Sequence, residues 1–175
     1  MRELKKYVIT GASGSGKTTL IGELGRRGYT VFDEVAKPYI LEQQAKGIKK
    51  PWLSKDFQPA MLKRQLELEE RASSYKGVVF LDRGVPDALA FFKYRKEKVP
   101  DDLAKRINSA DYEKIFYLEP LENFHNPGFR VEKDAREAVR IAELIKKEYQ
   151  RLGYDLIRVP VLSVPERADY VIGRI

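Results

Sequence analysis

Cysteine is absent from this 175-residue chain and histidine occurs once. The first absence excludes disulfides, thiolate catalysis and cysteine-based zinc sites, and the second excludes a multi-histidine metal centre. No apolar run is long enough to cross a bilayer. Met1-Arg2-Glu3-Leu4-Lys5-Lys6 leads into a strand without the apolar core of a secretory signal, so a cytoplasmic protein is expected. No repeat, low-complexity tract or linker divides the chain, which predicts one domain over residues 1–175. Asn and Gln are scarce while Lys, Glu and Arg abound, a balance that fits a protein working at high temperature.

The net charge of +7 raises the question of nucleic acid. Lys and Arg are nevertheless mixed with Glu along the helical stretches, as on a solvated surface. The one compact basic cluster, Lys46 to Lys50, lies beside Trp52 with no aromatic stacking platform. Nucleic acid is therefore not expected as a partner.

Residues 11–18 read Gly-Ala-Ser-Gly-Ser-Gly-Lys-Thr, a full match to G-x-x-x-x-G-K-[ST]. An apolar run, Tyr7-Val8-Ile9, precedes it and helix formers follow it. Strand, glycine loop and helix N-terminus together make a phosphate cradle. Gly11, Gly14 and Gly16 let backbone N–H groups crowd around phosphate oxygens where a Cβ would obstruct them. The helix N-terminus adds donors and a favourable dipole. Gly11, Ala12, Ser13, Gly14, Ser15, Gly16, Lys17, Thr18 and Thr19 are the expected triphosphate-binding residues. Lys17 is expected to reach the β- and γ-phosphates and Thr18 to offer its hydroxyl to Mg²⁺.

Strand and helix signals alternate along the rest of the chain. Strands are expected at residues 5–10, 29–32, 78–81, 115–118 and 156–159, and helices near 17–27, 35–46, 55–75, 85–96, 101–109, 134–152 and 165–174. Continuous apolar strands joined by helices imply a parallel sheet in an α/β layer architecture, with the strand C-termini gathered on the edge where ligands bind.

Acidic residues fall at that edge. Asp82 follows four apolar residues, the pattern of a Walker-B-like acid able to hold Mg²⁺; otherwise it caps the next helix. Glu34 follows the second strand and either works in the cleft or faces a helix N-terminus. Glu119 reads as structural. Arg83 either clamps a phosphate bidentately or pairs with a neighbouring acid. Gln65 shares the apolar stripe of the long helix, so it points into a cleft or bonds within the core. Trp52 reads as packing. Residues 119–131 are long for an irregular connection and read as a lid. It contains His125, which reads as solvent-facing, and ends in Phe129-Arg130; Arg136 and Arg140 follow on one helix face.

The ordered combination is similar to the P-loop kinase-like ATPases that include the nicotinamide-riboside kinase domain of bacterial NAD regulators. More distantly it resembles deoxynucleoside and thymidylate kinases. The matching stretches are residues 11–18, Glu34-Val35-Ala36-Lys37, Gln65-Leu66-Glu67, Asp82-Arg83-Gly84 with Asp87-Ala88-Leu89-Ala90, Pro127-Gly128-Phe129-Arg130, and Gly153-Tyr154 through Val159-Pro160. The resemblance implies a P-loop NTPase three-layer sandwich with a five-stranded parallel sheet in the order 2-3-1-4-5. It implies Glu34 as a substrate-side base, Asp82 and Arg83 as an acid–arginine pair, Arg130 as a lid arginine, and the loop at Pro160, Val161 and Leu162 as a contact for the nucleotide base. One departure stands out: relatives have Glu-x-Ala-Arg where this chain has Lys37 followed by Pro38, a point charge in place of a bidentate fork.

The leading expectation is an ATP-dependent small-molecule kinase, with ATP (or GTP) and Mg²⁺ as cofactors and catalytic residues Lys17, Glu34, Asp82, Arg83 and Arg130. Its acceptor would be nucleoside-, nucleotide- or riboside-like. The alternative is an ATP- or GTP-binding switch or slow NTPase serving a protein or lipid partner. That reading has less support, because N-K-x-D is absent and Asp82-Arg83-Gly84-Val85 is not D-x-x-G.

Overall fold

The first strand, β1 (Lys5–Gly11), is buried on both faces, which is why its apolar residues run on without alternation. In the computed structural model, which describes residues 3–107, 111–120 and 134–175, β1 is the central strand of a five-stranded sheet. Its neighbours are β3 (Val78–Asp82) and β4 (Lys114–Leu118), flanked in turn by β2 (Thr30–Phe32) and β5 (Leu156–Val159). The order is β2-β3-β1-β4-β5 and every pairing is parallel. This is the α/β arrangement and strand order that the sequence and its resemblance imply.

Side chains alternate across each strand and so divide the core in two. Tyr7, Ile9, Phe80 and Phe116 point to one face, covered by Leu20 and Leu24 of α1 (Lys17–Arg26) and Val171 of α7 (Val164–Ile172). Val8, Val79, Leu81 and Ile115 point to the other. There they meet Leu68 of α3 (Phe57–Ala72), Ala90 of α4 (Val85–Arg95) and Ile141, Ile145 and Tyr149 of α6 (Ala135–Arg151). Burying each large side chain contributes roughly 1.5–3 kcal/mol before the entropy cost of ordering it. A smaller apolar cluster, Ile40, Phe57 and Met61, joins α2 (Ala36–Ala45) to α3 beside a 3₁₀ turn at Pro51–Leu53.

Most element boundaries fall within two residues of the sequence expectation. Two differ more. The helix expected over 55–75 ends at Ala72, because the Ser73 and Ser74 hydroxyls bond back to the Glu69 and Arg71 carbonyls and close the turn. The helix expected over 101–109 is the short α5 (Asp101–Ala104), whose end tightens through an Arg106 N–H to Leu103 carbonyl bond at 3.0 Å. The predicted lid lies, beyond Glu119 and Pro120, outside the described residues.

Parallel pairing brings the C-terminal ends of all five strands to one edge. At Gly11 the chain turns away so close to β4 that an added Cβ would sit 2.2 Å from the Leu118 carbonyl oxygen, at φ +140°. Only glycine permits that exit, and it starts the loop that leads to α1.

Candidate active site

The loop after β1 wraps the start of α1. Gly16 takes the left-handed N-cap position (φ 87°) and, having no side chain, caps no N–H of this helix. The first N–H groups of a helix have no partner inside it, so this helix end suits an anion. Lys17 folds over the loop: its Nζ donates to the Ala12 carbonyl at 2.6 Å and lies 3.5 Å from Ser15 Oγ. Burial lowers its pKa to about 8, and the nearby Arg83 charge adds to that, while Asp82, Glu34 and Asp87 pull the other way. A lysine held this way is ready for a polyanion that restores its preference for the charged form.

Asp82 closes β3 opposite Thr18, whose hydroxyl donates to Asp82 Oδ2 at 3.0 Å. The carboxyl is 1% exposed, and its second oxygen, Oδ1, has no hydrogen-bond partner among the described residues. Burial pushes its pKa up to about 6, with Glu34 adding to the rise and Lys17 opposing it. A buried, under-satisfied carboxylate oxygen beside a hydroxyl fits the site of a hard cation such as Mg²⁺, which takes few protein ligands and completes its shell with phosphate and water oxygens. Asp82 does not cap α4. Gly84 holds that position, and its N–H donates to Asp87 Oδ2 at 3.1 Å.

Arg83 has φ 75°, a left-handed backbone conformation costly for a non-glycine residue. Its backbone holds it there: the N–H donates to the Ile9 carbonyl at 3.0 Å, and its carbonyl accepts from Gln65 Nε2 at 3.1 Å. The twist sends the guanidinium back over the loop. Nη1 lies 2.7 Å from Asp87 Oδ1 and 3.4 Å from the Gly11 carbonyl, and Nε is 3.8 Å from Glu34 Oε2. Of the two readings of Arg83, the structure displays the ion pair, in a position where the guanidinium also borders the cleft.

The sequence matched Asp87 as part of a motif but gave it no role. It is the hub of the site. Besides Arg83 and Gly84, it accepts from the Thr10 and Tyr149 hydroxyls, each at 2.6 Å. Beside it, buried Glu69 accepts from Gln65 Nε2, the Tyr112 hydroxyl and the Val85 N–H, while burial raises its pKa. Gln65 therefore does both things offered for it: it bonds inside the core and borders the cleft.

One cavity of about 750 Å³ joins these parts. At one end are Ser13, Gly14, Gly16, Lys17, Thr18 and Thr19; Asp82, Arg83 and Asp87 line its middle; Glu34, Ile40, Phe57, Gln58, Met61 and Phe91 surround the other end. Gln58 is 2% exposed and its Nε2 has no hydrogen-bond partner among the described residues. The sequence gave no hint of Gln58, which sits next to a core phenylalanine on α3. Ala12 and Ser15 are buried in the loop behind the cavity wall. Pro160 and Val161 are exposed at the end of β5 and do not line the cavity. Arg130 and His125 lie outside the described residues. Arg140 rests over the Tyr94 ring, 5.7 Å from its centroid. Glu119 pairs with Arg158 at 2.8 Å, the structural role expected of it. Trp52 packs against the cluster of Ile40, Phe57 and Met61, as expected.

A family model described as "AAA domain" (AAA_28) matches residues 6–167. The chain belongs to this AAA domain family. Its match spans the phosphate loop, the Asp82–Arg83 strand end and α7 through Arg167. No curated protein matches the chain. Solved structures similar to this AAA domain include NadR in complex with NAD and AMP-PNP (TM-score 0.71, 18% identity, 97% of this chain and 48% of that one). Another is deoxyadenosine kinase from M. mycoides with dCMP and dCDP (TM-score 0.65, 20% identity, 97% of each chain). A third is thymidylate kinase from Ehrlichia chaffeensis (TM-score 0.63, 13% identity, 98% of each chain). The chain spans about half the length of NadR. These likenesses bear out the resemblance read from the motifs and establish the P-loop kinase fold.

Proposed function

We propose that this AAA domain is a kinase that transfers the terminal phosphoryl of ATP or GTP to a small hydroxyl- or phosphate-bearing acceptor of nucleoside, nucleotide or riboside type. The observation that carries this reading is the cavity of about 750 Å³, which runs from a phosphate-loop end to an end lined by Glu34, Gln58 and apolar side chains. A switch would need only the first end. Solved structures of similar fold include enzymes named as kinases of deoxyadenosine, thymidylate and shikimate, which supports the same reaction class.

In this mechanism the loop N–H groups and Lys17 bind the triphosphate tail and offset the charge that grows on it. Thr18 and Asp82 would hold Mg²⁺, which when bound neutralises and orients the phosphates. Glu34 accepts the proton of the acceptor hydroxyl, and Arg83, steadied by Asp87, faces the transferred group. Gln58 Nε2 donates to a heteroatom of the acceptor, relieving its own buried vacancy. Ile40, Phe57 and Met61 enclose the acceptor's flat or apolar part. Arg130 would add charge from the lid, and Pro160 and Val161 would border the nucleotide base.

The test is phosphoryl transfer from γ-labelled ATP and GTP, with Mg²⁺, to a panel of nucleosides, nucleoside monophosphates and ribosides. Labelled product from at least one acceptor, lost on Glu34→Gln, is the expected result. Triphosphate hydrolysis that no acceptor accelerates would reassign the chain as a slow NTPase.

A further inference from the structure

Arg167, in the first turns of α7, is 6% exposed yet forms no ion pair with any carboxylate among the described residues. Its Nη1 donates to the Ser15 carbonyl at 2.9 Å, its Nε is buried without a partner among the described residues, and Nη1 sits 3.0 Å from where a Cβ on Gly16 would be. A buried cation without a counter-charge is costly. The helix does not repay it, because a cation near a helix N-terminus opposes the dipole. An anion bound beside the loop would offset that cost.

We infer that Arg167 is a positioning residue of the phosphate loop, and that the nucleotide's phosphate tail is its missing counter-charge. The Ser15 carbonyl and the Gly16 N–H belong to one trans peptide and point in opposite directions. By holding the carbonyl on the outer side of the loop, Arg167 aims the Gly16 N–H into the cradle. The guanidinium also adds a positive potential behind a loop that already presents Lys17 and the open end of α1. Three positive features thus converge on one point, and no acid among the described residues pairs with Arg167. The loop is pre-shaped for a polyanion at the expense of the empty protein, and α7 is tied to nucleotide occupancy. This rests on the phosphate-loop part of the proposed function and needs no acceptor.

Calorimetry of the whole chain with Mg²⁺ and ATP, ADP, AMP or adenosine tests it, using Arg167→Gln, which keeps an N–H donor without charge, and Arg167→Lys, which keeps the charge. Arg167→Gln is expected to weaken ATP at least about tenfold and adenosine hardly at all, since the effect scales with phosphate charge. Arg167→Lys should recover part of that loss. The KM of any acceptor should stay at its wild-type value. Without nucleotide, Arg167→Gln should melt within about two degrees of wild type or above it, because an uncompensated charge has gone. Wild-type ATP affinity in Arg167→Gln, an equal loss for adenosine and ATP, or a variant too unstable to purify would each overturn the assignment. A wild-type chain that binds ATP but phosphorylates no acceptor defeats the kinase reading alone.

Discussion

Arg83 Nη1 and Asp87 Oδ1 lie 2.7 Å apart, one helical turn from each other, and this pair ties the end of β3 to the start of α4. The arginine holds a strained backbone angle and the aspartate collects four donors, so neither is replaceable without consequence at the other.

Asp87→Ala would strand the Thr10 and Tyr149 hydroxyls, the Gly84 N–H and the Arg83 guanidinium in a buried site. A loss of about 3–5 kcal/mol is expected by denaturant titration. Asp87→Asn keeps the shape and an acceptor oxygen. It should lose less stability, yet lower kcat about tenfold or more because Arg83 is released.

Asp82 predicts an acid-side stability slope. Its folded pKa, about 6, lies above the ordinary carboxyl value of 3.8, so this carboxyl stabilises the fold fully when protonated and progressively less as pH rises between those values. The span of roughly two units corresponds to on the order of 3 kcal/mol. Without metal or nucleotide, Asp82→Asn should therefore be more stable than wild type above pH 6 and should lack this slope between about pH 4 and 6. Melting curves across that range decide it.

Lys17 gives the opposite sign. Its folded pKa of about 8 is below the ordinary lysine value of 10.5, so the unfolded chain holds its proton longer and the empty protein gains stability as pH rises through that window. Lys17→Met should be more heat-stable than wild type at neutral pH while losing triphosphate binding. Binding of ATP to wild type should weaken above about pH 8 and be accompanied there by proton uptake. An unchanged melting point in Lys17→Met would contradict the desolvation argument.

Gly84 is extended, with no backbone demand for glycine, yet an added Cβ would lie 2.8 Å from both the Tyr112 and Tyr149 hydroxyls. Gly84→Ala should cost about 1–3 kcal/mol by overpacking. Combining it with Tyr112→Phe and Tyr149→Phe removes the obstructing oxygens, so the triple variant should lose less than the sum of its parts. Additive losses in unfolding titrations would rule the clash out.

The parts legible in the sequence are those whose partners are local. The phosphate loop is eight consecutive residues flanked by its own strand and helix, and Asp82 betrays itself by ending an apolar run. Strand order is set by tertiary pairing and came only with the family resemblance. Asp87 escaped notice because its partners Thr10 and Tyr149 are 77 and 62 positions away. Arg167 and Ser15 are 152 positions apart, and nothing near either one announces the other. Gln58 was missed for a different reason: on an amphipathic helix, periodicity cannot separate a face that meets the core from one that meets a cleft.

The cluster of Ile40, Phe57 and Met61 stands apart from the two layers that cover the sheet. Its side chains wall the far end of the cavity, but the sheet does not rest on them. Replacements of similar volume there should reshape what that end admits with less effect on the sheet and the phosphate loop. Divergence within such a scaffold can thus proceed by exchanging one small panel, and directed evolution of this chain has an obvious place to begin.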